Sequence, residues 1–224
     1  MIRTSLYDFF TGRCLRRVNT NSPELYLTFD DGPDSIVTPK VLELLKKYKA
    51  QGTFFQIANR ALENTDLCQK ILAEGHTIGN HTHDHDTSHY FKDKKHLEQW
   101  VHDSNKIFKE KLEIDCVGFR SPLGIKTPAL NKALKENKIP LVLWDTRFYD
   151  TKYPLTKTKI DKALKNLKNG SIILLHDVQK EHLLQDFLKY LEYFLDQASQ
   201  NGFSFKALTS SIIEKSFKDK YETK

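Results

Sequence analysis

The chain has 224 residues, a length one α/β domain can fill, and 39% of them are hydrophobic, with 14 Phe and 9 Tyr for core volume, which excludes general disorder. Its net charge of +6 comes mostly from lysines scattered along helix-like stretches, and no Arg/Lys cluster with interleaved aromatics marks a nucleic-acid binder. Three distant cysteines, Cys14, Cys68 and Cys116, form neither a metal spacing nor a disulfide framework and favour a reducing compartment, and no apolar run reaches membrane-spanning length.

Residues 1–22 read as an N-terminal extension. Leu6, Phe9, Phe10 and Leu15 alternate there with Arg3, Arg13, Arg16 and Arg17, as in a short basic amphipathic helix packed on its own domain, with weak membrane-surface contact as the alternative. The stretch lacks the uninterrupted apolar core of a signal peptide. A cytoplasmic place, or one peripheral to the inner membrane, is therefore expected, for a monomer.

Residues 25–29, Leu-Tyr-Leu-Thr-Phe, are a buried-strand run that ends in Asp30-Asp31-Gly32-Pro33. Residues 38–48 carry helical spacing, with Thr38 as the candidate cap and Pro39 near the start. A strand over 53–57, a helix over 62–74 stopped by Gly75, and a short strand over 76–80 follow. The loop His81-Thr82-His83-Asp84-His85 comes next, then a long helix over 94–112. Residues 116–119 form a strand that ends at Arg120-Ser121-Pro122-Leu123-Gly124. A helix over 128–137, a strand over 140–144, a polar loop over 145–153 and a helix over 157–167 continue the alternation. The strand over 171–175 ends in His176-Asp177. A helix over 183–199 and a strand over 203–207 complete it, and the tail after Glu214 is expected to fray. Seven apolar strands alternating with helices, without a composition break, predict one parallel sheet covered on both faces and closed into a barrel. The expected division is an extension over 1–22, one domain over 23–210 and a Lys-rich tail over 211–224.

In such folds chemistry collects at the carboxyl ends of the strands. Five strand ends here carry carboxylate, imidazole or guanidinium: Asp30-Asp31, His81 to His85, Arg120, the loop with Asp145 and Asp150, and His176-Asp177. Each alone is ordinary surface chemistry; a surface turn is the plain account of Asp-Asp-Gly-Pro. Together on one rim they read as a site. His81 and His85, four apart, can aim two imidazoles at one point, and two His with one carboxylate, Asp31, suit a catalytic zinc. Asp30 is then the candidate base and His176 the candidate acid. These parts describe metal-assisted hydrolysis of an amide or ester.

The same residues resemble five ordered motifs of the NodB-homology polysaccharide deacetylases, carbohydrate esterase family 4. Thr28-Phe29-Asp30-Asp31-Gly32-Pro33 resembles the first motif. Residues 79–85, from Gly-Asn-His to Asp-His, resemble the second, and residues 119–124 the third. Residues 144–150 resemble the fourth, and Leu174-Leu175-His176-Asp177 the fifth. The resemblance covers about residues 25–207. It implies a distorted (β/α)7 barrel in a single domain and removal of N- or O-acetyl groups from a sugar. It implies Asp30 as base, Arg120 as the partner that holds it, and His176 as acid tuned by Asp150. It makes Asp31, His81 and His85 ligands of a divalent metal: zinc, with cobalt or nickel as alternatives. Pro122, Leu123, Gly124, Trp144 and Leu174 would meet substrate, with a backbone N–H near Leu123 facing the oxyanion. His83 falls at a variable position.

Two departures bear on the sugar groove. Leu123 stands where the family usually has an aromatic, and Thr151 follows Asp150 where it usually has Trp. The implied partner is an acetylated carbohydrate: peptidoglycan, a chitin-type oligomer or an exopolysaccharide. A lipid-linked sugar at the inner membrane surface is the alternative. Rival readings are a sugar-binding module without turnover, which normally loses a metal ligand or the base, and a metal-independent amidohydrolase, which usually lacks the full Asp-His-His set.

Overall fold

The structure is a computed structural model that describes residues 13–221. Strand β1 (Glu24–Asp30) lies at its centre, and its residues from Leu25 to the end are all buried. Helix α1 (Val37–Lys47), β2 (Gly52–Gln56), α2 (Ala58–Glu63), α3 (Thr65–Ala73) and β3 (Thr77–Asn80) follow. Next come α4 (Lys94–Lys106), α5 (Pro128–Glu136), β4 (Thr146–Arg147), α6 (Lys157–Leu164) and β5 (Ile172–His176). Helix α7 (Glu181–Gln200), β6 (Ser204–Phe205) and α8 (Ser210–Tyr221) end the described chain. The strands pair in parallel in the order β3-β2-β1-β5-β4, and β6 pairs with the start of β1. In register, Asp30 stands beside His176 and Phe55, so the pairing alone brings the first and fifth strand ends together.

Two expected strands are reduced to bridges. Phe119 bridges Asn80 on one side and Leu141 on the other, where strands over 116–119 and 140–144 were predicted. The cause is local. Pro140 has no N–H to give a ladder. Gly118 packs so closely that a Cβ there would stand 3.0 Å from the Pro140 carbonyl oxygen. The ladder still continues, because the same segment reaches β5 through Thr146 and Ile173. Leu15 bridges Val142, and Arg17 bridges Ser171. Residues 14–18, which the sequence places in an extension, thus fill a gap of the distorted barrel, with Cys14, Leu15 and Val18 buried. Residues 1–12 of the proposed amphipathic stretch lie outside the described residues.

The core forms where the apolar stripes meet. Phe29 and Phe54 stack at 5.0 Å between adjacent strands. Helix α7 buries Phe187, Leu191, Phe194 and Leu195, a three- and four-residue spacing that makes one stripe. Three further expectations change. Asp34, not Thr38, takes the first N–H groups of α1: its Oδ1 accepts from Ile36 and Val37 at 2.8 and 2.7 Å. The long fourth helix leaves α-geometry at Ile107–Lys111, a π-helical turn. The tail after Glu214 is helical as far as it is described: α8 runs to Tyr221, buries Ile213 and Ser216, and its Tyr221 hydroxyl bonds to the Cys14 backbone at 3.0 Å.

Candidate active site

On strand β1 side chains alternate, so Thr28 and Asp30 share the inward face. Both meet Arg120, a fully buried guanidinium. Its Nη1 donates to Thr28 Oγ1 and to Asp30 Oδ1, each at 2.7 Å. Its Nε and Nη2 donate to the carbonyls of Val142 and Leu143 at 3.1 Å. The guanidinium lies 4.0 Å over the Phe55 ring and 5.6 Å from the Trp144 ring. A planar, forked cation held on every edge and face fixes one oxygen of Asp30. The other oxygen, Oδ2, lies 3.9 Å from His81 Nε2.

Asp31 turns the opposite way. Its φ of 72° is left-handed, and that turn separates two adjacent carboxylates that would otherwise repel. Asp31 Oδ1 lies 3.3 Å from His81 Nε2 and 3.5 Å from His85 Nε2. His81 Nδ1 is 2.8 Å from the Arg120 carbonyl. A carbonyl only accepts, so Nδ1 carries the proton and the Nε2 lone pair faces Asp31.

Backbone strain marks the same places. Thr82, His85, Leu123 and Tyr149 also have left-handed φ, from 55° to 72°, a rare state for residues with a Cβ. Lys49 and Lys138 share it, but they sit just past helix ends, where it is an ordinary stop. The His loop is held by local bonds. Asn80 Oδ1 accepts from the Thr82 N–H at 2.7 Å, and Thr82 Oγ1 accepts from the His85 N–H at 3.0 Å. Asn80 Nδ2 donates to Ser104 Oγ and Asn105 Oδ1. The first N–H groups of α2, on Ala58 and Asn59, donate to the Thr82 and His83 carbonyls, which satisfies both loop and helix end.

Across the rim, His176 Nδ1 meets Asp150 Oδ1 at 3.0 Å, while Asp150 Oδ2 accepts from the His176 N–H and from Gln179 Nε2 at 2.8 and 3.0 Å. Burial pulls the His176 imidazolium down, but Asp150, with Asp30 and Asp31, more than offsets it and sets its pKa at about 9. Nε2 is left to face the cleft. Burial first, and then His81, lower the His85 imidazole below its usual range.

The structure thus brings together Asp30, Asp31, His81, His85, Arg120, Asp150 and His176. Trp144 walls the Arg120 side, and a Cβ on Gly124 would stand 2.7 Å from its ring. Leu174 lies in β5 on the same face as His176, and Pro122 is buried. Leu123 is 70% exposed. Asp145 stays outside the site, accepting from Ser171 Oγ at 3.1 Å. Sequence reasoning gave no role to the residues that hold these groups. Thr28 was signalled only by its two-residue spacing from Asp30. Asp177 accepts from Thr38 Oγ1 at 2.6 Å, and Thr38 Oγ1 in turn accepts from the Asp34 N–H. That pair pins the loop after Asp31, and burial pushes the Asp177 carboxyl up to about 7. Arg60 Nη1 donates to the Asp31 carbonyl at 2.9 Å.

The donor set fits a divalent cation. Asp31 Oδ1 is buried without a hydrogen-bond donor. One ligand atom each from Asp31, His81 and His85 lies within 4.8 Å of the others. A carboxylate oxygen facing two imidazole lone pairs is a cation's environment. No helix among the described residues is long and apolar enough to cross a membrane.

Comparison with known proteins gives the same picture. The chain is 41% identical over 206 residues to the peptidoglycan-N-acetylglucosamine deacetylase of Bacillus cereus, covering 90% of this chain and 94% of that one. A crystal structure of a peptidoglycan N-acetylglucosamine deacetylase superposes with a TM-score of 0.82 at 28% identity, covering 95% of this chain and 98% of the other. A family 4 acetyl xylan esterase from Clostridium thermocellum, in complex with a cobalt ion, superposes at 0.73 with 25% identity over 85% and 91% of the two chains. The profile described as Polysaccharide deacetylase matches residues 17–142, the stretch that carries Asp30, Asp31, His81, His85 and Arg120, and the chain belongs to that family.

Proposed function

We propose that this protein is a metal-dependent hydrolase that removes N-acetyl groups from an N-acetylhexosamine glycan. The observation that carries the reading is the division of labour between adjacent aspartates: Asp30 is fixed on Arg120, while Asp31 faces His81 and His85. Asp31, His81 and His85 would hold the cation, zinc by the borderline-soft His/carboxylate set. Such a cation polarises the acetyl carbonyl and makes water more acidic.

The chain's own groups do the rest. Asp30 Oδ2, the oxygen Arg120 leaves free, takes a proton from the attacking water. The new C–O bond forms as the carbonyl oxygen gains charge, and the Leu123 N–H in its left-handed turn donates to it. His176 Nε2 gives its proton to the sugar nitrogen as the C–N bond breaks, and acetate leaves. Pro122, Gly124, Trp144 and Leu174 shape the wall that the acetyl group and sugar meet. Acetate release from an N-acetylglucosamine tetramer tests this. Turnover should vanish with chelator and return with zinc; turnover indifferent to chelator would refute it. A non-catalytic sugar-binding module fits less well, because base, acid and all three ligands are present together.

The acid role sets a pH profile. A His176 pKa of about 9 means a protonated acid below that pH and loss of activity as pH rises through it. In Asp150→Asn the imidazolium loses its carboxylate, so the alkaline limb of kcat/KM should move to lower pH by at least about one unit. A limb left in place would show that Asp150 does not tune the acid.

A further inference from the structure

Among the described residues, the large hydrophobic side chains that stand in solvent are Ile36, Leu62, Phe91, Leu123, Tyr149 and Tyr153. All lie at one end of the sheet. Ile36 sits between β1 and α1, Leu62 in the short α2 directly after β2, and Phe91 between β3 and α4. Leu123 lies between the Phe119 bridge and α5, and Tyr149 and Tyr153 lie between β4 and α6. Each is on a connection that leaves the carboxyl end of a strand or bridge, the end that carries the site. None is on a connection at the opposite end or on the long helices that cover the sheet. The bridges carry the ring of strands from Asn80 through Phe119 to Leu141, and Thr146 then joins it to β5. Five successive connections around the cleft mouth therefore present an apolar side chain.

Apolar exposure confined to one end marks a surface that meets another phase. Phe91 is 91% exposed and Ile36 62%. Ile36, Leu62 and Leu123 offer neither a hydrogen-bonding group nor a flat ring for a pyranose, so a hydroxyl-rich glycan gains little from them, whereas hydrocarbon does. The two tyrosines are set among cations. The Arg147 guanidinium lies 3.9 Å over the Tyr149 ring, and the Lys152 and Lys159 ammoniums stand 5.3 and 5.4 Å from the Tyr153 ring. From Arg147 to Lys159 the sole carboxylate is Asp150, which is buried and tied to His176. Phe91 is followed by Lys92, Lys94 and Lys95. The Asp86 and Asp93 carboxylates on either side of it accept the backbone N–H groups of Ser88 and His96 at 2.8 Å. Tyrosine rings among long cations, with single aliphatic side chains beside them, are the composition of a membrane interface. A net charge of +6 suits anionic headgroups.

We infer that the rim around the cleft is a docking surface for an anionic phospholipid bilayer. Ile36, Phe91 and Leu123 enter the boundary between headgroups and acyl chains, and the cations about Tyr149 and Tyr153 meet lipid phosphates. Docked in this way, the cleft mouth faces the headgroups and is closed to glycan arriving from solution. The docking itself does not depend on the deacetylase reading.

The test is sedimentation of the full chain with vesicles of mixed phosphatidylglycerol and phosphatidylcholine, and with vesicles of phosphatidylcholine alone. Wild type is set beside a double variant, Ile36→Ser with Phe91→Ser; neither residue belongs to the catalytic set. Wild type should pellet with the anionic vesicles, salt should release it, and neutral vesicles should hold it at least about tenfold more weakly. The double variant should bind anionic vesicles at least about tenfold more weakly than wild type and unfold at the same temperature. Anionic vesicles should also slow acetate release from the soluble N-acetylglucosamine tetramer by zinc-loaded wild type, and leave the double variant's rate unchanged. Failure of wild type to sediment, or equal sedimentation of the double variant, overturns the inference. A double variant whose KM for the tetramer rises while its vesicle binding stays that of wild type overturns it and gives the rim to the glycan. A wild-type dimer that the double variant abolishes overturns it in favour of a second copy. Sedimentation needs no turnover, so its result stands apart from that of the deacetylase reading.

Discussion

Asp30→Asn should lower acetate release by about a thousandfold, the middle of the range for losing a positioned general base, with the cation still bound. The geometry gives the reason for both halves. Asp30 is not held in the Asp31–His81–His85 set; its Oδ1 is engaged by Arg120 at 2.7 Å and its Oδ2 is the oxygen turned toward the cleft. An amide in its place has no basic oxygen to accept the proton. It also leaves the charge of Arg120 without its carboxylate in a fully buried place, which costs about 3 kcal/mol of folding stability. Thermal unfolding of the variant should show that cost, so turnover has to be compared at a temperature where both proteins are folded. Residual activity within tenfold of wild type would remove Asp30 from the role of base.

His81→Ala should lose both turnover and cation. His81 is almost wholly buried, lies 3.3 Å from Asp31, and is oriented by the Arg120 carbonyl. Even an outer-shell partner is worth up to about a hundredfold in metal affinity, so removing this ligand should weaken zinc binding by at least about that factor. The cavity left behind adds about 2 kcal/mol of destabilisation to the metal-free protein. Zinc titration of the purified variant checks the first effect and metal-free thermal unfolding the second. Full zinc occupancy at micromolar concentration would place the ligand set elsewhere.

Both predictions rest on residues legible in the sequence, because the strand runs of β1, β3 and β5 end directly in Asp30-Asp31, His81 and His176. Continuous apolar runs located those strands, and parallel pairing then fixed their ends on one rim. What stayed hidden was physical in each case. Pro140 and Gly118 weaken the ladder at positions that look apolar enough for strands. Leu15 enters the barrel wall beside Arg16 and Arg17, charges that mask it as a strand. Thr28, Asn80, Thr82, Asp177 and Gln179 act by holding the backbone or orienting another side chain. A hydroxyl or amide that does this has no spacing of its own, since its partner is set by tertiary structure. The left-handed φ of Asp31, Thr82 and His85 was likewise invisible, because none of the three is a glycine.

The account's central claim is that two neighbouring aspartates do separate work. It is tested most directly by measuring zinc affinity and acetate release together on Asp30→Asn and Asp31→Asn. Asp31→Asn removes the negative charge of the carboxylate whose buried oxygen faces both imidazoles and should lose zinc and turnover together, whereas Asp30→Asn should bind zinc as wild type does and release acetate about a thousandfold more slowly. Equal loss of zinc by the two variants, or acetate released by zinc-loaded Asp30→Asn at the wild-type rate, would contradict it.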